Sequence, residues 1–165
     1  MTENVRDPAV QELIDKQAIR EAVMRYCRGV DRCDPDLVTS AYFPDATEER
    51  PGVSYSGSSV GEEIVKMLLA SMRSTNHQIG TQLIEVHGDK AVAESYSSGR
   101  HVLKDGRHLH TAVRYLDRFE KRAGEWKIVH RKVITDATDM PSGESLVPDL
   151  GRRDRSDPSY ALFGG

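Results

Sequence analysis

The sequence lacks a run of about 18 apolar residues, so no membrane-spanning helix is expected. It also lacks an excess of positive charge, since the formal net charge is -3 at pH 7. Phosphate backbones are bound by a net basic face, which argues against a nucleic acid as the main partner. The N-terminal residues do not show the charged and then apolar pattern of a secretory signal. We therefore expect a soluble cytoplasmic domain.

Cysteine is equally scarce. Cys27 and Cys33 are the two cysteines of the chain, and their spacing matches no known metal motif. Free thiols in a reducing compartment are the simplest interpretation.

The chain of 165 residues is long enough for one domain with a substantial core. Its pattern changes at about residue 140, after which Pro, Gly, Ser, Asp and Arg predominate. We predict one domain over residues 1–140. Residues 141–165 are predicted to form a tail that packs poorly or covers the domain, with its end anchored by Tyr160, Leu162 and Phe163.

Three helices are predicted in the first half of the chain. An apolar stripe predicts a long amphipathic helix over about residues 8–31; the stripe consists of Ile14, Ala18, Ala22, Tyr26 and Val30, with Ile19 and Val23 beside it. Asp34-Pro35 is typical of an N-cap followed by proline in the first turn, and this helix should continue through Ala41 and Tyr42. A third helix is expected over about residues 59–72. Between the last two helices, residues 45–55 predict a short strand or a hairpin that turns at Pro51-Gly52.

Strands follow from Thr75 onward, separated by turn signals at residues 87–90, 104–107 and 122–125. Three helices followed by a four-stranded antiparallel meander indicate an α+β fold. A two-residue turn at Gly88-Asp89 would place His77 opposite Arg100, and Leu83 opposite Glu94.

A similar turn at Asp105-Gly106 would set the register of the next pair of strands. It would place Val92 opposite Phe119, Tyr96 opposite Tyr115, and Val102 opposite Leu109. Because side chains alternate along a strand, one apolar face is then predicted to carry His77, Ile79, Thr81, Leu83, Tyr96, Val102, Val113, Tyr115 and Phe119. An apolar face with scattered polar groups under helices is typical of a ligand pocket.

The register of the last strand stays open at this stage. A three-residue loop at Ala123–Glu125 would turn Val129, Arg131 and Val133 inward, with Arg131 opposite Asp117. A two-residue loop would instead turn Ile128, His130 and Ile134 inward.

A metal site is the alternative on the opposite face. In the predicted register His101 pairs with His110, and His108 lies beside them. Three imidazoles could bind zinc or iron, but no carboxylate completes the set. We therefore favour a site without metal.

Several of these landmarks resemble the SnoaL-like branch of the nuclear transport factor 2-like superfamily. The resemblance begins with Ile14 to Ala41, including Tyr26, Asp31 and the Asp34-Pro35 helix start. It continues through Asn76-His77 and through residues 124–128 to Arg131, and so covers about residues 8–138. The branch includes scytalone dehydratase, hexachlorocyclohexane dehydrochlorinase and bile-acid 7α-dehydratase. The resemblance implies a cone-shaped α+β barrel, in which a long N-terminal helix and shorter helices pack in a strongly bent antiparallel sheet.

The resemblance also implies roles for individual residues. His77 would be a general base, and Asp31 would hold its other ring nitrogen. Tyr26 would donate a hydrogen bond to a departing hydroxyl or to an enolate oxygen, and Arg131 would help to hold the aspartate or the leaving group. Further tyrosines would bind the substrate, and the candidates are Tyr96, Tyr115, Tyr42 and Tyr55. Leu83, Val113 and Phe119 would form the pocket wall.

The resulting hypothesis is a cofactor-independent lyase that eliminates water, halide or another group from a cyclic or aromatic small molecule. A C–C lyase, an isomerase or a cyclase in the same pocket is the nearest alternative. A non-catalytic binding or assembly module is the alternative from a different class, because fold membership alone does not determine function. The resemblance further implies a homo-oligomer, either a dimer or a trimer.

Overall fold

Two helices that start at proline open the chain. In the computed structural model, which describes residues 7–140 and 158–163, helix α1 spans Pro8–Arg32 and α2 spans Pro35–Thr39. Asp7 caps α1 by accepting a hydrogen bond from the Ala9 N–H at 2.8 Å. Asp34 caps α2 by accepting from the Leu37 N–H at 3.0 Å, which confirms the predicted N-cap. Helix α2 ends earlier than expected, and the chain enters a strand at Tyr42.

The remaining elements form one curved sheet with helix α3 before its main strands. Helix α3 spans Val60–Ser71, close to its predicted bounds. The strands, in chain order, are β1 Tyr42–Arg50, β2 Val53–Ser56, β3 Met72–His87, β4 Lys90–Leu103, β5 His108–Arg122 and β6 Glu125–Asp139. A short helix, α4, spans Pro158–Phe163.

The sheet order is β2-β1-β6-β5-β4-β3, and the sheet does not close into a complete barrel. The predicted meander from β3 to β6 and the predicted hairpin at Pro51-Gly52 are both confirmed. Strand β1 adds to the meander in parallel, beside β6. The result is a cone-shaped α+β fold, whose concave face is covered by α1 and its neighbouring helices.

The buried face of α1 is rotated slightly about the helix axis from the predicted apolar stripe. Ile19, Ala22, Val23, Tyr26 and Val30 are buried, whereas Ile14 is 40 % exposed. The burial of Tyr26 places its ring under the sheet, against Tyr115 and Tyr42.

The register of β3 on β4 differs from the prediction because of a β-bulge. Leu83 pairs with Glu94 as predicted, but the register shifts between Ile79 and Gln82, so His77 pairs with Gly99 and not with Arg100. A bulge puts one extra residue on one strand, and the strand therefore changes its inward side across it. His77 and Ile79 face the core before the bulge, and Ile84 does so after it.

The register of β4 on β5 also differs from the prediction, here by one residue. Residues 104–106 form a three-residue loop that is closed by the Leu103 N–H to the Arg107 carbonyl at 2.8 Å. As a consequence Ser95, not Tyr96, pairs with Tyr115, and Ala91 pairs with Phe119. A slip of one residue moves every side chain of a strand to its other face.

Each of the two registers that the sequence left open for β6 is found over part of the strand. A two-residue turn at Ala123-Gly124 pairs Phe119 with Ile128 and turns Ile128 inward. A register shift then follows, after which Arg131 pairs with Asp117 and turns inward instead of His130.

The predicted boundary at residue 140 stays a prediction. Residues 141–157 and 164–165 of the predicted tail lie outside the described residues. Helix α4, close to the end of the chain, lies against β4.

Candidate active site

Asp31 and His77 meet where the last turn of α1 crosses β3. The Nδ1 atom of His77 lies 2.7 Å from one carboxylate oxygen of Asp31. The backbone N–H of His77 donates to the other oxygen at 2.9 Å. The side chain of His77 is only 11 % exposed, and that of Asp31 is only 9 % exposed. Because the ionised carboxylate accepts hydrogen bonds, it favours the tautomer with the proton on Nδ1, which leaves a lone pair on Nε2.

The second imidazole of the site is that of His101, which sequence analysis placed on the outer face. The shifted register pairs it with Leu109 and Thr75, so its ring points inward and is only 5 % exposed. The ring centres of His101 and His77 are 5.5 Å apart in an edge-to-face arrangement. Its Nδ1 lies 2.8 Å from the hydroxyl of Thr75, and its Nε2 lies 3.2 Å from that of Thr111.

Burial and, as a smaller cause, the neighbouring His77 lower the pKa of His101 to about 4. A neutral imidazole has one donor and one acceptor nitrogen, so one threonine hydroxyl donates to the ring and the other accepts from it. His101 is therefore a neutral side chain, held in one orientation by two threonines, that forms part of the cavity wall beside His77.

A cavity of about 360 Å³ opens in front of these histidines. That volume lies in the range of small-molecule sites. Its wall is mostly apolar, with contributions from α3 (Ile64, Met67 and Leu68) and from the sheet (Val113 and Val133). Its polar lining consists of His77, His101, Arg50, Tyr55, Tyr115, Thr111, Thr135 and Thr138.

Arg50 is the cation of this lining. Its Nε donates to Glu48 at 2.5 Å, and one terminal nitrogen, Nη2, donates to the Tyr26 hydroxyl at 2.5 Å. Glu48 is fully buried and also accepts a hydrogen bond from the hydroxyl of Tyr42. Burial alone would lower the pKa of Arg50, but Tyr26 and Glu48 raise it above its ordinary value. The guanidinium is thus charged and fixed in direction.

Arg131 lies behind the cavity rather than in its wall. Its side chain is fully buried and donates two hydrogen bonds of 2.7 Å to the carboxylate of Asp117. The guanidinium carbon is 4.3 Å from the ring centre of Tyr26 and 4.2 Å from that of Tyr115. Its remaining nitrogen, Nη1, has no hydrogen-bond partner among the described residues, and the positive charge of the side chain is balanced by Asp117 and by the faces of the aromatic rings.

The tyrosines around Arg131 stay protonated. Burial raises the pKa of Tyr26, Tyr42 and Tyr115 above the ordinary phenol value. These phenols are therefore hydrogen-bonding groups and not bases at neutral pH.

The other sequence-predicted site residues fall into three groups. Tyr55, Tyr115 and Val113 line the cavity. Tyr42 and Phe119 are buried in the hydrophobic core, outside the cavity lining. Leu83 and Tyr96 are 52 % and 48 % exposed on the outer face, so their predicted inward placement is wrong. The bulge in β3 turns Leu83 outward, and the three-residue loop turns Tyr96 outward.

The alternative metal site is not assembled. His101 is buried on the inner face, whereas His108 and His110 are exposed on the outer face. Within residues 7–140 and 158–163, no three His, Cys, Asp or Glu side chains are grouped as metal ligands. Cys27 and Cys33 are free thiols, as predicted.

Two functional candidates were missed from the sequence. His101 was missed because the β-bulge in β3 pairs His77 with Gly99 instead of Arg100, which puts His101 on the same face as His77. Arg50 was missed because nothing local distinguishes it from a solvated arginine beside the Pro51-Gly52 turn. The available signal was the opposite charge of Glu48 two residues earlier in a predicted strand, since alternate residues of a strand share a face and can form an ion pair.

The family of the chain follows from a comparison with protein-family models. Residues 11–132 match the SnoaL-like domain. The chain belongs to the SnoaL-like domain family. No protein with a curated description matches the sequence.

Solved structures show the same fold. A protein provisionally named scytalone dehydratase, from Novosphingobium aromaticivorans, superposes with a TM-score of 0.77 at 18 % identity, covering 88 % of this chain and 99 % of that one. Hexachlorocyclohexane dehydrochlorinase LinA-type3 from Novosphingobium barchaimii gives 0.76 at 20 % identity, covering 85 % and 99 %. A nuclear transport factor 2-like protein from Salmonella enterica gives 0.68 at 26 % identity, covering 79 % and 96 %. Within the described residues, no helix has the length and hydropathy that a membrane span requires.

Proposed function

We propose that this SnoaL-like protein is a lyase that eliminates a leaving group from a small cyclic or aromatic molecule, with His77 as the general base. The observation that carries the proposal is the Asp31–His77 pair at the cavity: its 2.7 Å contact engages Nδ1 of His77, and Nε2 has no hydrogen-bond partner among residues 7–140 and 158–163. The names of the dehydratase and dehydrochlorinase neighbours support elimination chemistry.

In the proposed reaction Nε2 takes a proton from an acidic C–H of the substrate. The electrons of that bond form a double bond, and the leaving group departs from the adjacent carbon with its own bonding pair. The imidazolium that forms is balanced by Asp31, which keeps the ring in place and stabilises its charge. Nδ1 of His77 thus keeps its hydrogen bond to the Asp31 carboxylate throughout the reaction.

The apolar wall of the cavity supports this chemistry. A ring compound that fills the cavity would exclude water from around His77, whose side chain is only 11 % exposed, and this would strengthen electrostatic interactions between substrate and protein. The same wall suits a ring compound, whose apolar faces replace water against Ile64, Leu68 and Val133.

Tyr26 and Arg131 enter the proposal in different roles from those implied by family resemblance. Tyr26 accepts a hydrogen bond from Arg50 and contacts Arg131, so we propose that it holds Arg50 in place. Arg131 is fully buried, and we propose that it positions the tyrosines rather than contacting the substrate.

The test is a screen of hydroxylated and halogenated ring compounds for elimination, followed by His77→Ala and Asp31→Ala on any compound that reacts. Each variant should lower turnover at least about a hundredfold, the usual scale for a general base, and Asp31→Ala should do so less severely. His110→Ala is the matched control, because His110 is exposed on the outer face. Near-normal turnover by either dyad variant would contradict the mechanism. Binding of ring compounds without any turnover would instead favour a binding module.

We also propose that the protein assembles as a dimer or trimer. Light scattering on the purified chain would measure the mass of the particle, and a monomer across the assay concentrations would contradict the proposal.

A further inference from the structure

His77 lines two separate hollows of the described surface. One is the cavity of about 360 Å³ between α3 and the sheet. The other is a groove of about 610 Å³ between α1 and β3, which Asp31 also lines. A molecule in solution therefore has two routes by which to approach His77, and the residues that border each opening decide which route it takes.

The exposure of the lining residues shows where the cavity meets solvent. Val53 and Met67 are 42 % and 36 % exposed, which makes them the most exposed apolar residues of the lining. In contrast, Ile64, Leu68 and Val133 line the same cavity and are buried. Because the exposed side chains lie beside bulk water, the cavity opens at Val53 and Met67.

Val53 lies where the β1–β2 hairpin extends past the rest of the sheet. It is the first residue of β2, an edge strand whose pairing partner is β1. The pairing of β1 with β6 ends at Glu49, so the turn at Pro51-Gly52 continues beyond the paired strands. A substitution of Val53 should therefore alter the opening with little effect on the sheet.

Met67 borders the opening from the side of α3. It lies three residues after Ile64, and residues three apart on a helix share a face. Ile64 is buried and Met67 is exposed, so Met67 lies at the edge of the face that α3 turns to the cavity. Strand β2 contacts α3, so the two elements that carry Val53 and Met67 are neighbours.

The groove has a different border. Arg28 and Arg32 line it and are exposed, and the carboxylate of Asp31 lies between them in sequence. Charged groups are strongly hydrated, and covering them with an apolar ring costs free energy because they lose water. An apolar ring therefore meets a smaller cost at the opening beside Val53 and Met67.

We propose that Val53 and Met67 form the entrance through which ring compounds reach His77, and that these two side chains limit the width of the molecules that enter. This inference rests on the part of the proposed function that makes the cavity the binding site of a ring compound. A ligand passes an entrance side chain on its way in and on its way out. Such a side chain changes the rates of association and dissociation by the same factor and leaves Kd unchanged, whereas a side chain of the wall changes Kd.

The rates can be measured without knowledge of the substrate. The probe is 2-naphthol, a neutral compound of two fused rings whose own fluorescence reports its binding, and stopped-flow mixing gives both rates. Val53→Trp and Met67→Trp should each lower both rates about tenfold, as an added barrier of about 1.4 kcal/mol does, while Kd stays nearly constant. Met67→Ala should raise both rates. Val133→Ala should instead raise Kd, because Val133 is a buried part of the wall.

Two tryptophan substitutions are matched controls. Met24 is 52 % exposed and lines the groove, so Met24→Trp narrows the other opening. Leu69 is exposed on α3 and lies outside the cavity lining, so Leu69→Trp tests for a general effect on that helix. Neither variant should change the rates, and all the variants should keep the circular dichroism spectrum of the unaltered protein.

Three results would overturn the inference. The first is normal rates in folded Val53→Trp and Met67→Trp, with or without slower rates in Met24→Trp. The second is a change of Kd in these entrance variants that comes from the dissociation rate alone. The third is an unaltered protein that binds no 2-naphthol.

The entrance and the lyase fail separately. Elimination activity together with normal association rates in both entrance variants would overturn the entrance and leave the lyase. Slower association and dissociation in both variants, with no elimination from any ring compound, would support the entrance and contradict the lyase.

Discussion

The carboxylate of Asp31 holds His77 at two points, through the ring Nδ1 at 2.7 Å and through the backbone N–H at 2.9 Å. The backbone contact ties the carboxylate to strand β3, and the ring contact sets the direction of the imidazole. A carboxylate near the C-terminus of a helix is otherwise unfavourable, because that end carries partial negative charge. The two donors on β3 offset this cost.

The first prediction is that neutral His77 carries its proton on Nδ1. Nitrogen-15 NMR of labelled protein distinguishes protonated from unprotonated ring nitrogens, and the spectrum of His77→Ala assigns the signals. Asp31→Asn should shift the tautomer mixture towards Nε2–H, because an amide accepts a weaker hydrogen bond than a carboxylate. His110 is the internal control, whose signals should not change. A proton found on Nε2 in the unaltered protein would argue against a general base at that atom.

The second prediction concerns His101 and pH. Its pKa falls to about 4 in the folded chain, below the ordinary value of 6.5, because burial and His77 disfavour the charged form. The unfolded chain therefore binds more protons between these values, and folding stability is lost as pH decreases through that window. His101→Asn should destabilise the protein at pH 7, and the difference should shrink by up to roughly 3 kcal/mol towards pH 4.

Urea unfolding of both proteins at several pH values measures this difference. The Asp31–His77 pair faces His101, but it is present in both proteins. His110→Asn provides the exposed control. A difference between the two proteins that stays constant with pH would show that His101 is not held neutral.

The third prediction separates a buried from an exposed ion pair. Asp117→Asn leaves the charge of Arg131 without its partner under three tyrosine rings, and should cost about 3–5 kcal/mol of folding stability. Asp45→Asn is the matched control, because Asp45 and Arg122 form an ion pair at the surface, and its cost should stay below about 1 kcal/mol. Chemical denaturation measures both. Equal costs would mean that Arg131 is hydrated in solution.

The fourth prediction uses glycine to probe the wall beside His77. A methyl group on Gly99 would lie 2.5 Å from the Thr111 hydroxyl and 2.6 Å from Nε2 of His101, so both side chains must move. Gly99→Ala should cost about 1–3 kcal/mol, as overpacking does. The same variant should also weaken ligand binding in the cavity, since Thr111 and His101 both line it.

Gly80→Ala is the control for this effect. Its methyl group would meet no atom closer than the Tyr96 carbonyl oxygen at 3.9 Å. Thermal unfolding of the two variants compares their costs, and equal values would show that the wall around His101 is loosely packed.

Much of the fold was predictable because it depends on short-range patterns. The apolar stripe around Tyr26 defined α1, the Asp34-Pro35 pair defined the start of α2, and turn residues marked the hairpins from β3 to β6. Each of these signals acts through residues that are close in sequence, so each can be recognised without the tertiary structure.

The inward faces of the strands were less predictable, because they depend on turn length and on bulges. His77 was predicted to face the core, and it does, but its predicted partner was wrong. The bulge at residues 80 and 81 shifts the register by one residue, so His77 pairs with Gly99 and not with Arg100. Tyr96 and Leu83 were placed on the wrong face for the same kind of reason.

The sequence by itself determined the family, the order of the elements and the pairing of a helix-end Asp31 with a strand His77. Only the tertiary structure decided which polar side chains surround them. The β-bulge in β3 shifts the register on β4 by one residue, and this shift brought His101 to the face of His77. The approach of β1 to α1 joined Arg50 to Tyr26, two residues that no local pattern connects. Local propensity can specify where an element lies, but which side chains share a cavity depends on register and packing across distant strands.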